Sequence, residues 1–363
     1  MGGRYVYSAQ MDKPIKIGII GGGMIAQVCH IPFLMDDVRC EVKTIAESRP
    51  SLITHLKQTY DFENITPDYM DILNDPEIEG VVISGPRAAN GPLALETLRA
   101  GKHVFAEKPM THSLEQSSKP ADIAASKGLI YAIGFMKRYD EGVIEAKRLL
   151  ADLIDTERFG TLTEARFYDH SRANQFPPPA HQRPLESRTQ RFETWPLWPE
   201  WMPEAYQEHY SWFMNVASHD INLMHYFFNT DLEVLSTSLS EDGSLETTLK
   251  KDSIPIHFAF SKTETDKWAE GVEFIFEKGR MHLAIPCPMD VQGTGRITLY
   301  DQNGAPNVHN FADEHKWSFK HQAHGFISAL AKDEEFKTLG KDGLHDMDCI
   351  ERIWKKGLES TSS

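Results

Sequence analysis

The sequence has no C-x-x-C pair, no excess of positive charge and no long apolar run. Its four cysteines, Cys29, Cys40, Cys287 and Cys349, are scattered. That spacing offers no cysteine zinc site and fits the reduced thiols of a cytoplasmic protein. A formal net charge of −15 argues against nucleic acid or an anionic membrane as the main partner. No stretch approaches the roughly 18 apolar residues of a membrane span. The opening MGGRYVYSAQMDKP lacks the basic start and apolar core of a secretion signal, and reads as a short unstructured lead-in. Histidine is plentiful, 16 in all. Yet His321 with His324, or His219 with His225, have no cysteine or carboxylate at a recognisable spacing, so no metal is expected.

What is present is enough apolar residue for two cores. A chain of 363 residues exceeds what one hydrophobic core usually serves. The β-branched run IKIGII (15–20) stops at Gly21-Gly22-Gly23-Met24-Ile25-Ala26. This is G-x-G-x-x-A directly after a strand. The glycines allow a tight turn and a close backbone approach, and the following helix aims free N–H groups at a pyrophosphate. A second strand, CEVKTIAE, ends on Glu47, where a carboxylate can hold the adenosine ribose hydroxyls. Ser48 and Arg49 follow it and could instead take a 2′-phosphate. NAD is favoured, with NADP the alternative.

Strand and helix then alternate. EGVVISGP (79–86), KHVFAEKP (102–109) and LIYAIGF (129–135) read as strands, with helices through 93–100 and near 113–127. That alternation predicts a parallel sheet covered on both faces, with the dinucleotide at the strands' carboxyl ends. The candidate cofactor contacts are Gly21, Gly23, Met24 and Ile25 in the loop, then Glu47, Ser48 and Arg49. Ser84, Pro86 and Asn90 follow the third strand, and Glu107 and Lys108 the fourth. Lys108 stands just before a proline, on a stiff backbone that suits a cis peptide. Its ammonium could hold a substrate hydroxyl; an exposed surface lysine is the plainer reading.

Residues 211–228, SWFMNVASHDINLMHYFF, bury an apolar face from Val216 on, yet place Asn215 and His219 one helical turn apart with Asp220 beside them. They are either the wet start of a core helix or a base aimed into a cleft.

Taken in order, GIIGGGMIA, AGKHVFAEKPM, GFMKRYD and SHDINLMHYF resemble the glucose-fructose oxidoreductase, inositol dehydrogenase and rhizopine-catabolism family. The resemblance runs from about Lys13 to the closing HQAHGFISAL…DGLHDMDCIERIW. It implies a Rossmann domain (13–135) followed by an α+β domain (136–363) on a large, mostly antiparallel sheet. One open face of that sheet commonly makes the dimer or tetramer contact. It also implies redox chemistry at a hydroxyl-bearing carbon of a sugar, glycoside or cyclitol. Lys108 matches the lysine that holds the reacting oxygen and His219 the catalytic acid/base, with Asn215 its companion. Met136 matches a substrate-contacting position, and His170 and Arg172 fall near another substrate-facing segment. Two residues depart from the pattern. Asn215 stands where many relatives carry aspartate, and SGPRAAN replaces a T-P-x-x-x-H pattern, so Gly85 and Asn90 stand for its Thr and His.

The rest of the chain reads less sharply. Residues 173–212 hold prolines, Arg183, Arg188, Arg191 and six Trp or Tyr side chains. They form a long loop whose aromatics either face a sugar ring or pack the loop down. LEVLSTSLS, SIPIHFAFS, VEFIFEKGRMHLAIP and RITLYD alternate as antiparallel strands with one packed face. Trp268 and His257 could reach the cleft. Two other functions remain open: a glycoside-processing enzyme that uses tightly bound NAD transiently for oxidation and elimination, and a non-catalytic protein that senses the nucleotide.

Overall fold

The computed structural model describes residues 13–171, 179–187, 192–229, 231–264, 268–304, 306–309 and 317–361. The N-terminal lead-in, Arg172, Arg188 and Arg191 lie outside them.

The first sheet is built of β1 (Ile15–Ile20), β2 (Cys40–Ala46), β3 (Asn64–Thr66), β4 (Gly80–Ile83), β5 (His103–Ala106) and β6 (Tyr131–Ile133). All pairs are parallel, in the order β3-β2-β1-β4-β5-β6. That is the doubly wound dinucleotide-binding order, with its reversal between β1 and β4. Helices α1 (Ile31–Asp36), α2 (Pro50–Thr59), α3 (Met70–Asn74), α4 (Arg87–Arg99) and α5 (Leu114–Lys127) cover it. Burial on both faces explains the unbroken apolar runs: Ile17, Ile19 and Ile20 are all fully buried.

Ahead of α1 the chain makes a π-turn over Ala26–His30. Pro32 has no N–H to give the Val28 carbonyl, and its ring would crowd that carbonyl. The Ile31 N–H bonds instead to Ala26 O, one residue further back.

Helix α6 (Glu141–Asp155) leads to β7 (Leu162–Ser171), and α7 (Glu204–Val216) and α8 (Ser218–Phe228) follow. The second sheet adds β8 (Glu233–Leu239), β9 (Leu245–Lys251), β10 (Ile254–Lys262), β11 (Ala269–Phe276), β12 (Gly279–Ala284), β13 (Arg296–Asp301) and β14 (Pro306–His309). Its order is β14-β13-β12-β11-β7-β10-β9-β8. Only β7 with β10 is parallel, so the sheet is mostly antiparallel.

The last helices, α9 (Ser318–Leu330) and α10 (Gly340–Thr361), return to both sheets. Phe326 of α9 joins Ile17, Val82 and Phe105 in the first core, and Trp354 of α10 joins Phe213 and Phe258 in the second.

The sequence reading needs three corrections here. The span 204–212, read as loop, is the body of α7; its prolines stop at Pro203, which caps the helix N-terminus. Asn215 and His219 do not share one unbroken helix, because a turn at Ala217 separates α7 from α8. Strands β7 and β9 are not among the strands that the sequence predicts.

Candidate active site

The glycine loop fits a dinucleotide by its own geometry. Gly21 has φ +99°, and a Cβ there would sit 2.4 Å from the Ser84 carbonyl oxygen. A side chain is therefore barred where β1 and β4 part. At Gly23 a Cβ would meet only Arg49, at 3.8 Å, so the outer side of the loop is open for close approach. Met24 is partly exposed beside it. Pro86 caps α4 in extended conformation, leaving that helix's first N–H groups facing the same end of the sheet.

Glu47 is buried at the end of β2. Its carboxylate accepts from the Gly22 N–H at 2.9 Å, the Ser48 N–H at 2.9 Å and the Arg49 N–H at 3.0 Å. The Arg49 guanidinium adds two bonds, at 2.8 and 2.6 Å. Burial alone would raise the Glu47 pKa, but the Arg49 and backbone bonds outweigh it and hold the group below the usual carboxylate range.

Glu107 turns inward, its carboxylate 2.8 Å from His30 Nε2, which ties the end of β5 to the helix behind the glycine loop. Asn90 donates to Glu107 O at 2.9 Å and more loosely to Pro109 O at 3.5 Å. The Asn90 amide thus braces the Glu107–Pro109 turn.

The Lys108–Pro109 peptide is cis. Lys108 reaches across to α7, donating to Asn215 O at 2.5 Å, with Asn215 Oδ1 at 3.5 Å. Burial lowers its pKa to about 8. His219 lies in the first turn of α8, buried, with its ring edge-on to Phe135 at 5.5 Å. Burial, then the charges of Lys137 and Lys108, push its pKa well below 6.5, so the imidazole is neutral. Among the described residues nothing bonds to its Nδ1. Lys108 just beyond β5, Asn215 of α7 and His219 of α8 therefore lie near one another.

Behind His219 stands a group the sequence reading missed. Asp169 of β7 and Glu270 of β11 are register partners on the inner face of the second sheet. Lys137, in the 3₁₀ turn Met136–Tyr139, pairs with Glu270, and Trp268 Nε1 donates to it at 3.1 Å. Trp268 thus reaches this group, whereas His257 lies on the outer face near Thr248. Asp220 meets Asp169, and among the described residues no N–H or O–H donor reaches either Asp220 oxygen. Two carboxyls can bond to one another only if one keeps a proton. Burial and the Glu270 charge both disfavour loss of a proton, raising Asp169 to about 7 and Asp220 well above the usual range. Lys137 stays charged: burial opposes this, but Glu270, Asp220 and Asp169 raise its pKa.

Strand alternation decides where the neighbouring residues point. Ala165, Phe167 and Asp169 face inward. His170 faces the other side, stacked on Tyr168 and bonded to Ser261 Oγ at 2.7 Å. His170, expected near a substrate-facing segment, thus lies on the opposite face of β7 from Asp169. Met136 is buried among Val28, Cys29, Trp317 and Phe319, and its neighbour Lys137 is the one that reaches the carboxyls.

The aromatic segment packs onto the protein. Trp198, Trp201, Tyr206 and Trp212 lie against the second core and Tyr210 is within it. The Trp195 N–H donates to Ala88 O at 2.8 Å, and a Cβ on Gly91 would come within 2.5 Å of the Trp195 ring. Phe192 meets Tyr69 at 5.6 Å.

Residues 15–135 match the model of an oxidoreductase family with an NAD-binding Rossmann fold. An uncharacterised oxidoreductase, YrbE, of Bacillus subtilis (strain 168) is 23% identical over 92% of this chain and 92% of its own. Inositol 2-dehydrogenase of Salmonella typhimurium (strain LT2) is 25% identical over 67% of this chain and 63% of its own. In fold, the chain is similar to a 3-ketoreductase from Actinomadura kijaniata solved with NADP and TDP-benzene. The two superpose with a TM-score of 0.72 at 19% identity, over 95% of this chain and 98% of that one. The aldose-aldose oxidoreductase of Caulobacter crescentus gives 0.73 at 17%, over 96% and 98%. None of the described helices is long and apolar enough to cross a membrane.

Proposed function

Through residues 15–135 the chain belongs to the Gfo/Idh/MocA family of NAD(P)-dependent oxidoreductases, and on that premise we propose that it oxidises or reduces a secondary alcohol or ketone on a sugar, glycoside or cyclitol. The observation that carries the reading is the convergence of Lys108, Asn215 and a neutral, buried His219 at the carboxyl end of the dinucleotide-binding sheet.

The glycine loop, Glu47 and the start of α4 would hold the dinucleotide, which when bound supplies the hydride acceptor or donor. The protein's own groups handle the proton. Lys108 places an ammonium where the substrate oxygen must sit, and stabilises negative charge as it develops there. Because its pKa is lowered to about 8, that charge is present at neutral pH and is lost as pH rises. His219, neutral, accepts the hydroxyl proton in oxidation and returns it in reduction. Asn215 orients Lys108 through its backbone carbonyl and supplies no charge of its own. The closeness of Phe135 to the imidazole keeps bulk water from one side of the ring.

The test is to incubate the protein with NAD and a panel of sugars, glycosides and cyclitols, following NADH formation, in wild type and in His219→Ala. Turnover that vanishes in the variant while NADH still binds supports the assignment. A variant that turns over at the wild-type rate removes His219 from the mechanism.

A further inference from the structure

The ribose end of the cradle holds a residue from the far half of the chain. Residues 182–186 cross from the second half onto the nucleotide-binding sheet and are fastened there at two points. Gln182 exchanges two bonds with Gln27, its N–H donating at 2.8 Å and its carbonyl accepting at 3.2 Å. The Leu185 N–H donates to Ser51 Oγ at 3.1 Å, and Glu186 Oε1 accepts from the Ser51 N–H at 2.7 Å. Ser51 opens α2, two residues beyond the Arg49 that grips Glu47.

In this fold class a 2′-phosphate is accommodated beside the acidic residue at the end of β2, by a nearby arginine and neighbouring donors. Several such donors here are already engaged by a carboxylate of the chain. The Ser48 and Arg49 N–H groups and the Arg49 guanidinium go to Glu47, and the Ser51 N–H goes to Glu186. A phosphate entering there would lose those donors and face two negative charges, whereas a ribose hydroxyl brings no charge.

We propose that Glu186 is a coenzyme-specificity residue: from a segment outside the nucleotide-binding sheet, its carboxylate holds the Ser51 N–H against a 2′-phosphate and makes the chain select NAD(H) over NADP(H). This rests on the oxidoreductase reading above, but adds to the Glu47 anchor a second carboxylate that the sequence alone did not single out. It also gives Ser48 and Arg49, which could have accepted the phosphate, a different task.

The experiment is a titration of the stripped protein with NADH and with NADPH, read by nucleotide fluorescence and needing no substrate. Wild type, Glu186→Gln and Glu186→Ala are compared, with thermal melting to check folding. Glu186→Gln keeps an oxygen for the Ser51 N–H and removes only the charge, so it separates repulsion from loop architecture. The expected result is wild-type preference for NADH, with NADPH affinity rising about tenfold in Glu186→Gln and NADH affinity changing little. An NADPH-to-NADH ratio within twofold of wild type in both variants overturns the proposal, as does a wild-type preference for NADPH. Wild type binding neither nucleotide overturns it too, and takes the oxidoreductase reading with it; that result is distinct from NADH binding with an unmoved ratio.

Discussion

The two ends of the cleft are built on opposite terms. At the ribose end the charges are paired: Glu47 accepts five hydrogen bonds, two of them from the Arg49 guanidinium. At the reacting end the charges are compressed. His219 carries a buried nitrogen without a bonded partner among the described residues, and burial with the Glu270 charge raises the Asp169 and Asp220 pKa values beside the Lys137–Glu270 ion pair. Unpaired buried polar groups cost stability, and such costs concentrate where chemistry needs shifted pKa values. On the proposed reading, the satisfied end recognises the coenzyme and the compressed end reacts.

The comparison breaks most visibly at His219. Its replacement by alanine is expected to cut turnover by about 10³-fold, within the range of acid–base catalysis, while NADH affinity measured by titration stays within about twofold. A loss of binding as well would mean that the two ends are one structural unit. Lys108→Met comes next, with a fall of about 10²-fold in kcat, typical of a lost oxyanion partner. The wild-type kcat/KM profile should lose activity as pH rises through about 8, where Lys108 gives up its proton. That limb should be missing from the variant.

At the other end Glu47→Gln should weaken NADH binding by about tenfold, the worth of a charge-assisted bond, and leave kcat nearly unchanged. The smallest effect is on stability. Asp169 has a folded pKa raised from 3.8 to about 7, so the native state holds a proton that the unfolded chain releases. The stabilisation is full below about pH 4 and is lost as pH rises through about 7. Asp169→Asn should flatten the decline in melting temperature over that window; an equally steep decline in the variant would place the proton elsewhere.

Legibility followed the same divide. The ribose end was readable because its signals are local: IKIGII matches β1 residue for residue, and the glycine loop and Glu47 follow it in sequence. RITLYD likewise matches β13. At the other end the residues single out Lys108 and the Asn215–His219 cluster but leave a plainer reading open for each, and the resemblance supplies their proposed roles. Asp169 went unread because β7 had not been recognised as a strand, so His170 drew attention instead. A signal was there: Ala165, Phe167 and Asp169 fall on one face at period two, as do Glu270, Val272 and Phe274, so a carboxylate recurs in an apolar register. The contact between Glu186 and Ser51 had no such trace, since it depends on where a long segment lands.

The placement of β7 also bears on how the chain is made. This strand sits between β10 and β11, both of which emerge from synthesis about a hundred residues after it. Until they arrive its two edges lack partners, open to mispairing with other chains. Nor can the first half finish early, because Phe326 completes its core and Ile133 donates to the Thr338 carbonyl at 2.9 Å. No leading portion of the polypeptide is thus a finished unit. Removing α9 and α10 from the C-terminus would leave every strand in place but strip Phe326 from the first core and Trp354 from the second.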